Sequence, residues 1–187
     1  MAPLGLALLW AAFAAAFLAS HLRVRRARRK RRLSDRPALR ARSSDLGLVL
    51  EGVSLLIVFA FRREAAHPAL ALAGLAIGAA SAALAWAAVF HLGRQWRVRA
   101  VIAEDHSLIT TGPYAVVRHP IYASLLGMLA ASALLYSRWP AAAAALAVHL
   151  LGTEIRIHAE EKLLTRAFPE EFARYRKRVP AYFPALW

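Results

Sequence analysis

The sequence predicts an all-α integral membrane protein with about five transmembrane helices. Hydrophobic residues make up 59% of its 187 residues, and the mean hydropathy is +0.43. This is more apolar than a soluble domain of this size needs to be. The apolar residues also form long runs, and a helix needs roughly 20 such residues to cross a bilayer. The chain has no cysteine, which excludes disulfides, thiolate metal ligands and a cysteine nucleophile.

The first apolar run, residues 2–22, has no charged side chain until Arg23. A signal peptide would carry its positive charges before the apolar stretch, so we interpret this run as a retained transmembrane helix. We interpret residues 23–44 as a basic cytoplasmic loop, because Arg23 to Arg42 hold eleven of the 25 basic residues. The loop suits anionic lipid headgroups better than nucleic acid, since it lies between two apolar runs. The expected environment is therefore a lipid bilayer, and no nucleic-acid partner is predicted.

Four further apolar runs complete the predicted spans, at residues 46–61, 68–92, 121–137 and 141–157. The turn between the last two is very short, which predicts a C-terminal hairpin of antiparallel neighbours. The third span carries small residues at helical spacing, which favour a close approach by another helix: Gly74, Gly78, Ser81 and Ala82. Glu51 lies inside the second span, where an ionisable side chain is costly. A functional role and a snorkelling or capping role are equally compatible with its position.

Five spans place the N-terminus outside and the C-terminus in the cytoplasm. On this topology all basic residues but Arg62, Arg63 and Arg138 lie on the cytoplasmic side, if Arg156 is counted at the inner end of its span. The alanine- and arginine-rich composition indicates a bacterial source and thus the inner membrane. We divide the chain into an N-terminal transmembrane region, residues 1–92, and a catalytic region, residues 93–187, whose polar segments face the cytoplasm.

The polar stretch His106–Tyr122 lies just before the fourth span. Its Gly112-Pro113 pair predicts a turn, and Pro120 suits the first turn of a helix. His119 should therefore lie at the helix boundary, where free backbone N–H groups could bind an anion.

Five ionisable residues cluster at the end of the fifth span. Arg156 and Glu160 share one helix face, and Glu154, His158 and Glu161 share a neighbouring one. The plain interpretation is a helix that emerges into water with i,i+4 pairs. The hairpin, however, brings this end close to the start of the fourth span. It predicts a cytoplasmic pocket formed by Tyr114, His119, Tyr122, Arg156 and Glu160.

Three motifs in this half of the chain resemble one family. They read HSLITTGPYAVVRHPIYAS, RIHAEEKLL and FPEEFARYRKRVP, and the likeness covers residues 93–184. Their order and spacing are similar to those of the isoprenylcysteine carboxyl methyltransferase family, integral membrane enzymes related to the phospholipid methyltransferases. The resemblance implies a site for S-adenosylmethionine built without a Rossmann domain, and no GxGxxG follows a strand-like run here.

The resemblance also implies roles for individual residues. Glu160 matches a cofactor-binding glutamate, and Arg156 matches an arginine that meets the substrate and orients an acceptor carboxylate. Aromatic faces in the pocket suit the cationic sulfur. No metal site is predicted. The full set of expected cofactor-binding residues is His106, Ser107, Leu108, Ile109, Tyr114, His119, Pro120, Ile121, Tyr122 and Glu160.

Three alternatives remain open at this point. A phospholipid amine N-methyltransferase would use the same cofactor, but its acceptor must lose a proton first. A sterol-type membrane reductase would use NADPH and shares a related RHP…Y pattern. A non-catalytic membrane scaffold would use neither cofactor. The favoured interpretation is methyl transfer to a lipophilic acceptor that carries a carboxylate, because Arg156 suits that group.

Overall fold

A computed structural model describes residues 2–31, 39–40, 43–63, 66–93, 101–102 and 107–182. In these ranges the structure is dominated by helices: α1 (Ala2–Arg31), α2 (Ser43–Ala60), α3 (Pro68–Leu92), α4 (Pro120–Tyr136), α5 (Trp139–Ala167) and α6 (Pro169–Arg176). Two short strands, β1 (Leu39–Arg40) and β2 (Val101–Ile102), form an antiparallel pair that the all-α prediction did not include.

Among the residues that the structure describes, three helices are long and apolar enough to cross a membrane, at Pro3–Arg26, Ser43–Ala60 and Pro68–Leu92. Helix α4 is apolar but has only 17 residues, and α5 carries charged side chains from Glu154 onwards. Many large apolar side chains point outward, such as Leu56 (69% exposed) and Leu72 (71% exposed). An outer surface of this kind suits lipid, and the count of five spans stays a prediction.

The basic segment is not wholly a loop, contrary to the prediction. Helix α1 continues without interruption from the apolar run to Arg31. The physical reason is that arginine, lysine and alanine are good helix formers, so a change from apolar to basic residues does not end a helix. Further along the segment, Leu39 and Arg40 pair with Ile102 and Val101.

Helix α3 is central to one side of the bundle and packs on both α1 and α4. All four of its predicted small residues are buried: Gly74, Gly78, Ser81 and Ala82. A Cβ at Gly74 would lie 3.1 Å from the backbone oxygen of Ala131 on α4. Phe13 of α1 and Met128 of α4 join the same apolar core. The predicted close approach to α3 is therefore confirmed.

The predicted hairpin of α4 and α5 exists, but each of its helices packs more extensively on another helix. Helix α4 packs mainly on α3, and α5 packs mainly on α2. Two facing glycines permit the close contact between α2 and α5, because a Cβ at Gly47 would lie 2.5 Å from the carbonyl oxygen of Gly152. Helix α2 thus lies beside the polar end of α5, an arrangement that was not predicted from the sequence.

Candidate active site

The segment before α4 is shaped by one glycine in the left-handed region. Gly112 has a φ of 61°, and a Cβ there would collide with the ring of His91 at the end of α3. It opens a short 3-10 helix, Gly112–Ala115, which buries Tyr114. The hydroxyl of Tyr175 on α6 donates to the carbonyl oxygen of Tyr114 at 2.6 Å. The predicted turn is confirmed, and the segment is fixed against both α3 and α6.

Two backbone N–H groups immediately before α4 are already hydrogen-bonded. The N–H of Arg118 donates to the carbonyl of Pro180, and that of His119 donates to the carbonyl of Ala181, each at 2.8 Å. Residues 180–181 of the C-terminal segment thus lie alongside residues 118–119 and pair with them through the backbone. These two N–H groups are not available to an anion, and the predicted anion site at the start of α4 stays a prediction.

His119 lies between two carboxylates of α5. Its Nε2 is 3.2 Å from Oε1 of Glu161, and its Nδ1 is 3.6 Å from Oε2 of Glu160. Burial alone would lower the pKa of His119, but the hydrogen bonds and charges of Glu160 and Glu161 raise it above the ordinary value. The two carboxylates therefore favour the protonated, cationic form of this buried ring.

The main partners of Glu161 are cationic side chains. Burial would raise its pKa, but His119 and then Arg118 lower it to about 2. The Nη2 of Arg118 lies 2.8 Å from Oε1 of Glu161. The guanidinium of Arg118 also donates to the carbonyl oxygens of Arg176 and Val179. Glu161 thus joins α4, α5 and the C-terminal segment, and it does not share a cluster with Glu154 and His158, which pair with each other.

Tyr122, Arg156 and Glu160 form a continuous hydrogen-bonded chain. The Nε of Arg156 donates to the hydroxyl of Tyr122 at 3.0 Å, and this hydroxyl donates to Oε1 of Glu160 at 2.5 Å. The guanidinium also lies 5.2 Å from the centroid of the Tyr122 ring. Glu160 is the most accessible member, with 30% of its side chain exposed. Burial would raise the pKa of Glu160, but His119 and then Tyr122 lower it below the ordinary value, so it is ionised.

The remaining predicted cofactor-binding residues differ in how far they are buried. Pro120 is buried, Ile109 and Ile121 are half-buried, and Ser107 is exposed. Leu108 packs against an apolar cluster of α6 formed by Phe172, Tyr175 and Val179. His106 lies outside the residues that the structure describes.

A groove of about 520 Å³ opens beside the 107–115 segment. Leu108 and Thr110 line one wall, and Glu171, Arg174 and Tyr175 of α6 line the other. Part of the segment predicted to bind the cofactor therefore borders an open space of mixed polarity.

Residues 72–166, half of the chain, match the sequence model of the isoprenylcysteine carboxyl methyltransferase family. The chain belongs to this family. The matched region contains Tyr122, Arg156 and Glu160, and it ends at Arg166 in the last turn of α5.

Two curated relatives are similar to part of the chain. The cobalt-zinc-cadmium resistance protein CzcN of Cupriavidus metallidurans is 37% identical over 118 residues, which is 63% of this chain and 50% of the relative. The nickel-cobalt-cadmium resistance protein NccN of Alcaligenes xylosoxydans xylosoxydans is 38% identical over 102 residues, 54% of this chain and 43% of the relative. The chain spans about half the length of the curated relatives it matches.

The sequence left two roles open for Glu51, which lies outside the region that matches the isoprenylcysteine carboxyl methyltransferase family. Its side chain is buried in α2, and its Oε2 is 3.6 Å from Nε of Arg156. The hydroxyl of Thr153 donates to its Oε1 at 3.4 Å. One signal could have found it, because a carboxylate inside an apolar run needs a buried partner.

Proposed function

We propose that this chain is an S-adenosylmethionine-dependent membrane methyltransferase that acts on a lipophilic acceptor carrying a carboxylate. The observation that carries the proposal is the hydrogen-bonded chain of Arg156, Tyr122 and Glu160, which runs from the apolar half of the bundle to its polar end. Family membership supports methyl transfer as the reaction class. We also propose the bacterial inner membrane as its location, with the site facing the cytoplasm.

The side chains of the polar cluster fit the chemistry of the cofactor. The ionised and partly exposed Glu160 can accept hydrogen bonds from an ammonium group or from ribose hydroxyls. The faces of Tyr114 and Tyr122 can attract a positively charged sulfur. When bound, adenosylmethionine supplies a methyl group that is activated by this charge. The chain's own residues then have to hold, orient and desolvate the reactants.

Arg156 is proposed to orient the acceptor. It is buried, it belongs to α5, and it lies one helical turn closer to the apolar half than Glu160 does. A lipophilic acceptor would approach from that half, whereas a soluble cofactor would approach from the polar end. Since a carboxylate needs no base to attack a methyl group, positioning and exclusion of water would supply most of the rate.

The relatives' names refer to metal resistance, which does not require the chain itself to bind a metal. In the part of the chain that the structure describes, no group of three or more His, Cys, Asp or Glu side chains is arranged to hold a metal ion. If the role in resistance extends to this chain, methylation of a membrane component is the link that fits the proposed chemistry.

Ligand-dependent thermal unfolding of the purified protein in detergent tests the cofactor. Adenosylhomocysteine at about 100 times its dissociation constant should stabilise the fold by roughly 2.7 kcal/mol. His119→Ala and Glu160→Ala should lose most of this shift, whereas the control His158→Ala should keep it, because that side chain is 80% exposed. Stabilisation by NADPH instead would identify a reductase, and stabilisation by neither ligand would indicate a scaffold. Unchanged shifts in both test variants would contradict the proposed pocket.

Transfer of a labelled methyl group tests the acceptor class. The protein in liposomes would be supplied with an S-prenylated N-acetylcysteine, oleate or phosphatidylethanolamine. Label in either carboxylate as an alkali-labile ester is the expected result. Label in the amine of phosphatidylethanolamine alone would replace our proposal by phospholipid N-methylation.

A further inference from the structure

Glu51 is a carboxylate buried in a helix that is apolar enough to cross a membrane. Only 6% of its side chain is exposed, and it lies near the middle of α2 (Ser43–Ala60). An isolated charge in this environment is costly, so such residues pair with one another inside the bundle. Its partner is Arg156, whose Nε lies 3.6 Å from Oε2 and whose side chain is only 8% exposed.

The pairing depends on an unusually close contact between two helices. Gly47 lies one turn before Glu51, and a Cβ there would lie 2.5 Å from both Cγ of Arg156 and the carbonyl oxygen of Gly152. A Cβ at Gly152 would lie 3.2 Å from the backbone nitrogen of Glu51. The two glycines therefore let α2 deliver its carboxylate directly to the arginine.

The same arginine donates to Tyr122, and Tyr122 donates to Glu160. Glu51 is thus in contact with the residue that we assign to the acceptor, although α2 lies outside the family-matched region, residues 72–166.

We propose that Glu51 is a positioning residue that acts through Arg156: it holds the guanidinium and balances its charge, so that an acceptor carboxylate is oriented without being over-stabilised. This inference rests on the proposed function. In that reaction a carboxylate oxygen forms a bond to the methyl carbon, and the bond between this carbon and sulfur breaks. The electron pair of the broken bond stays on sulfur, so the negative charge of the acceptor and the positive charge of the sulfonium cancel.

The charge balance matters because the acceptor loses its charge as it reacts. An uncompensated arginine would stabilise the ionised acceptor more than the transition state, in which part of that charge is already spent. Binding would then become tighter while the chemical step became slower. Glu51 next to the guanidinium reduces this imbalance and leaves Arg156 to act mainly through its planar geometry.

Glu51→Gln tests the inference, because it keeps the shape of the side chain and removes its charge. The first measurement is binding of the S-prenylated N-acetylcysteine to protein saturated with adenosylhomocysteine. We expect the variant to bind this carboxylate at least fivefold more tightly and to bind its neutral methyl ester as the wild type does. In turnover, KM for the carboxylate should fall while kcat falls at least tenfold. The matched control is Glu154→Gln on α5, where 44% of the glutamate side chain is exposed and it pairs with His158.

Each other outcome has a distinct meaning. Equal or weaker binding of the carboxylate by Glu51→Gln would overturn the inference, because a purely structural glutamate gives that result. A wild type that binds no adenosylhomocysteine would instead overturn the proposed function. A wild type that binds adenosylhomocysteine but neither S-prenylated N-acetylcysteine nor oleate would overturn the proposed acceptor class, and this inference with it. If Glu51→Gln does not fold, Glu51→Asp replaces it in the test. The changes in carboxylate binding, KM and kcat should then have the same sign and a smaller size, because the shorter aspartate side chain weakens the pairing with Arg156.

Discussion

The contact between α2 and α5 can be tested with two glycines of the same helix. Gly47 lies against α5, where an added Cβ would be 2.5 Å from the carbonyl oxygen of Gly152. Gly52 is exposed five residues later, and a Cβ there would meet no atom within 4 Å. The substitutions Gly47→Ala and Gly52→Ala therefore change the same chemistry in one helix, but only the first changes the helix contact.

The expected magnitudes follow from these distances. A Cβ at 2.5 Å from a backbone oxygen cannot be accommodated by a rotamer change, so the helices must separate. Overpacking of this kind costs about 1–3 kcal/mol. The better helix propensity of alanine offsets about 0.8–1 kcal/mol of it. We expect Gly47→Ala to lower the free energy of unfolding by up to about 2 kcal/mol. Gly52→Ala should raise it by about 0.5–1 kcal/mol.

The assay is reversible unfolding of the detergent-purified protein by a denaturing detergent, followed by far-ultraviolet circular dichroism. The ordering of the three proteins is the decisive result: Gly52→Ala most stable, the wild type next and Gly47→Ala least stable. Equal stability of the two variants, or a larger loss for Gly52→Ala, would refute the close contact. It would also remove the structural basis for the pairing of Glu51 with Arg156.

Four further predictions concern the membrane topology, the role of Arg156 and the dependence of stability on pH. Reporter fusions at Arg138 and after the last residue should lie on opposite sides of the membrane, and a same-side result would contradict five spans. Arg156→Lys should leave adenosylhomocysteine binding nearly unchanged and lower turnover at least tenfold, about 1.4 kcal/mol in the barrier, because lysine lacks the planar fork; wild-type turnover would contradict the acceptor role. The stabilisation from Glu161 should be present above pH 4.5 and lost as the pH falls towards about 2, since its pKa is lowered in the fold. The stabilisation from His119 should be complete below pH 6.5 and lost as the pH rises through its raised pKa. His119→Gln should therefore reduce the fall of the melting temperature on the alkaline side of its pH profile.

Local signals in the sequence were enough to locate most helices. The run that predicted α3 has the same bounds as the helix, Pro68–Leu92, because proline begins it and a glycine follows its end. The spacing of Arg156 and Glu160 predicted that they share a helix face, and the predicted hairpin put that face near Tyr122, where the structure has both residues. Hydropathy did not locate the end of α1 in the basic segment, because hydropathy changes at Arg23 but helix propensity does not.

Helix pairing was harder to predict, because it depends on residues that are far apart in the sequence. Gly47 and Gly152 look ordinary in isolation, and only their meeting across the bundle shows why α2 packs on α5. The short turn between α4 and α5 indicated that the two helices are antiparallel neighbours. It carried no information about which faces of the helices pack most closely. The backbone bonds from Arg118 and His119 to residues 180–181 were invisible for the same reason.

The partner of Glu51 could nevertheless have been found by an argument from depth. Glu51 lies eight residues after the start of α2, about 12 Å along the axis at 1.5 Å per residue. Arg156 lies eleven residues before the end of α5, on a helix that runs in the opposite direction in the predicted topology and extends beyond the apolar region. Two opposite charges at similar depth on antiparallel helices satisfy each other at less cost than either does alone. A carboxylate and an arginine inside predicted spans should therefore be treated as a candidate pair before either receives a catalytic role. Here that rule would have brought α2 into the candidate active site from the sequence alone.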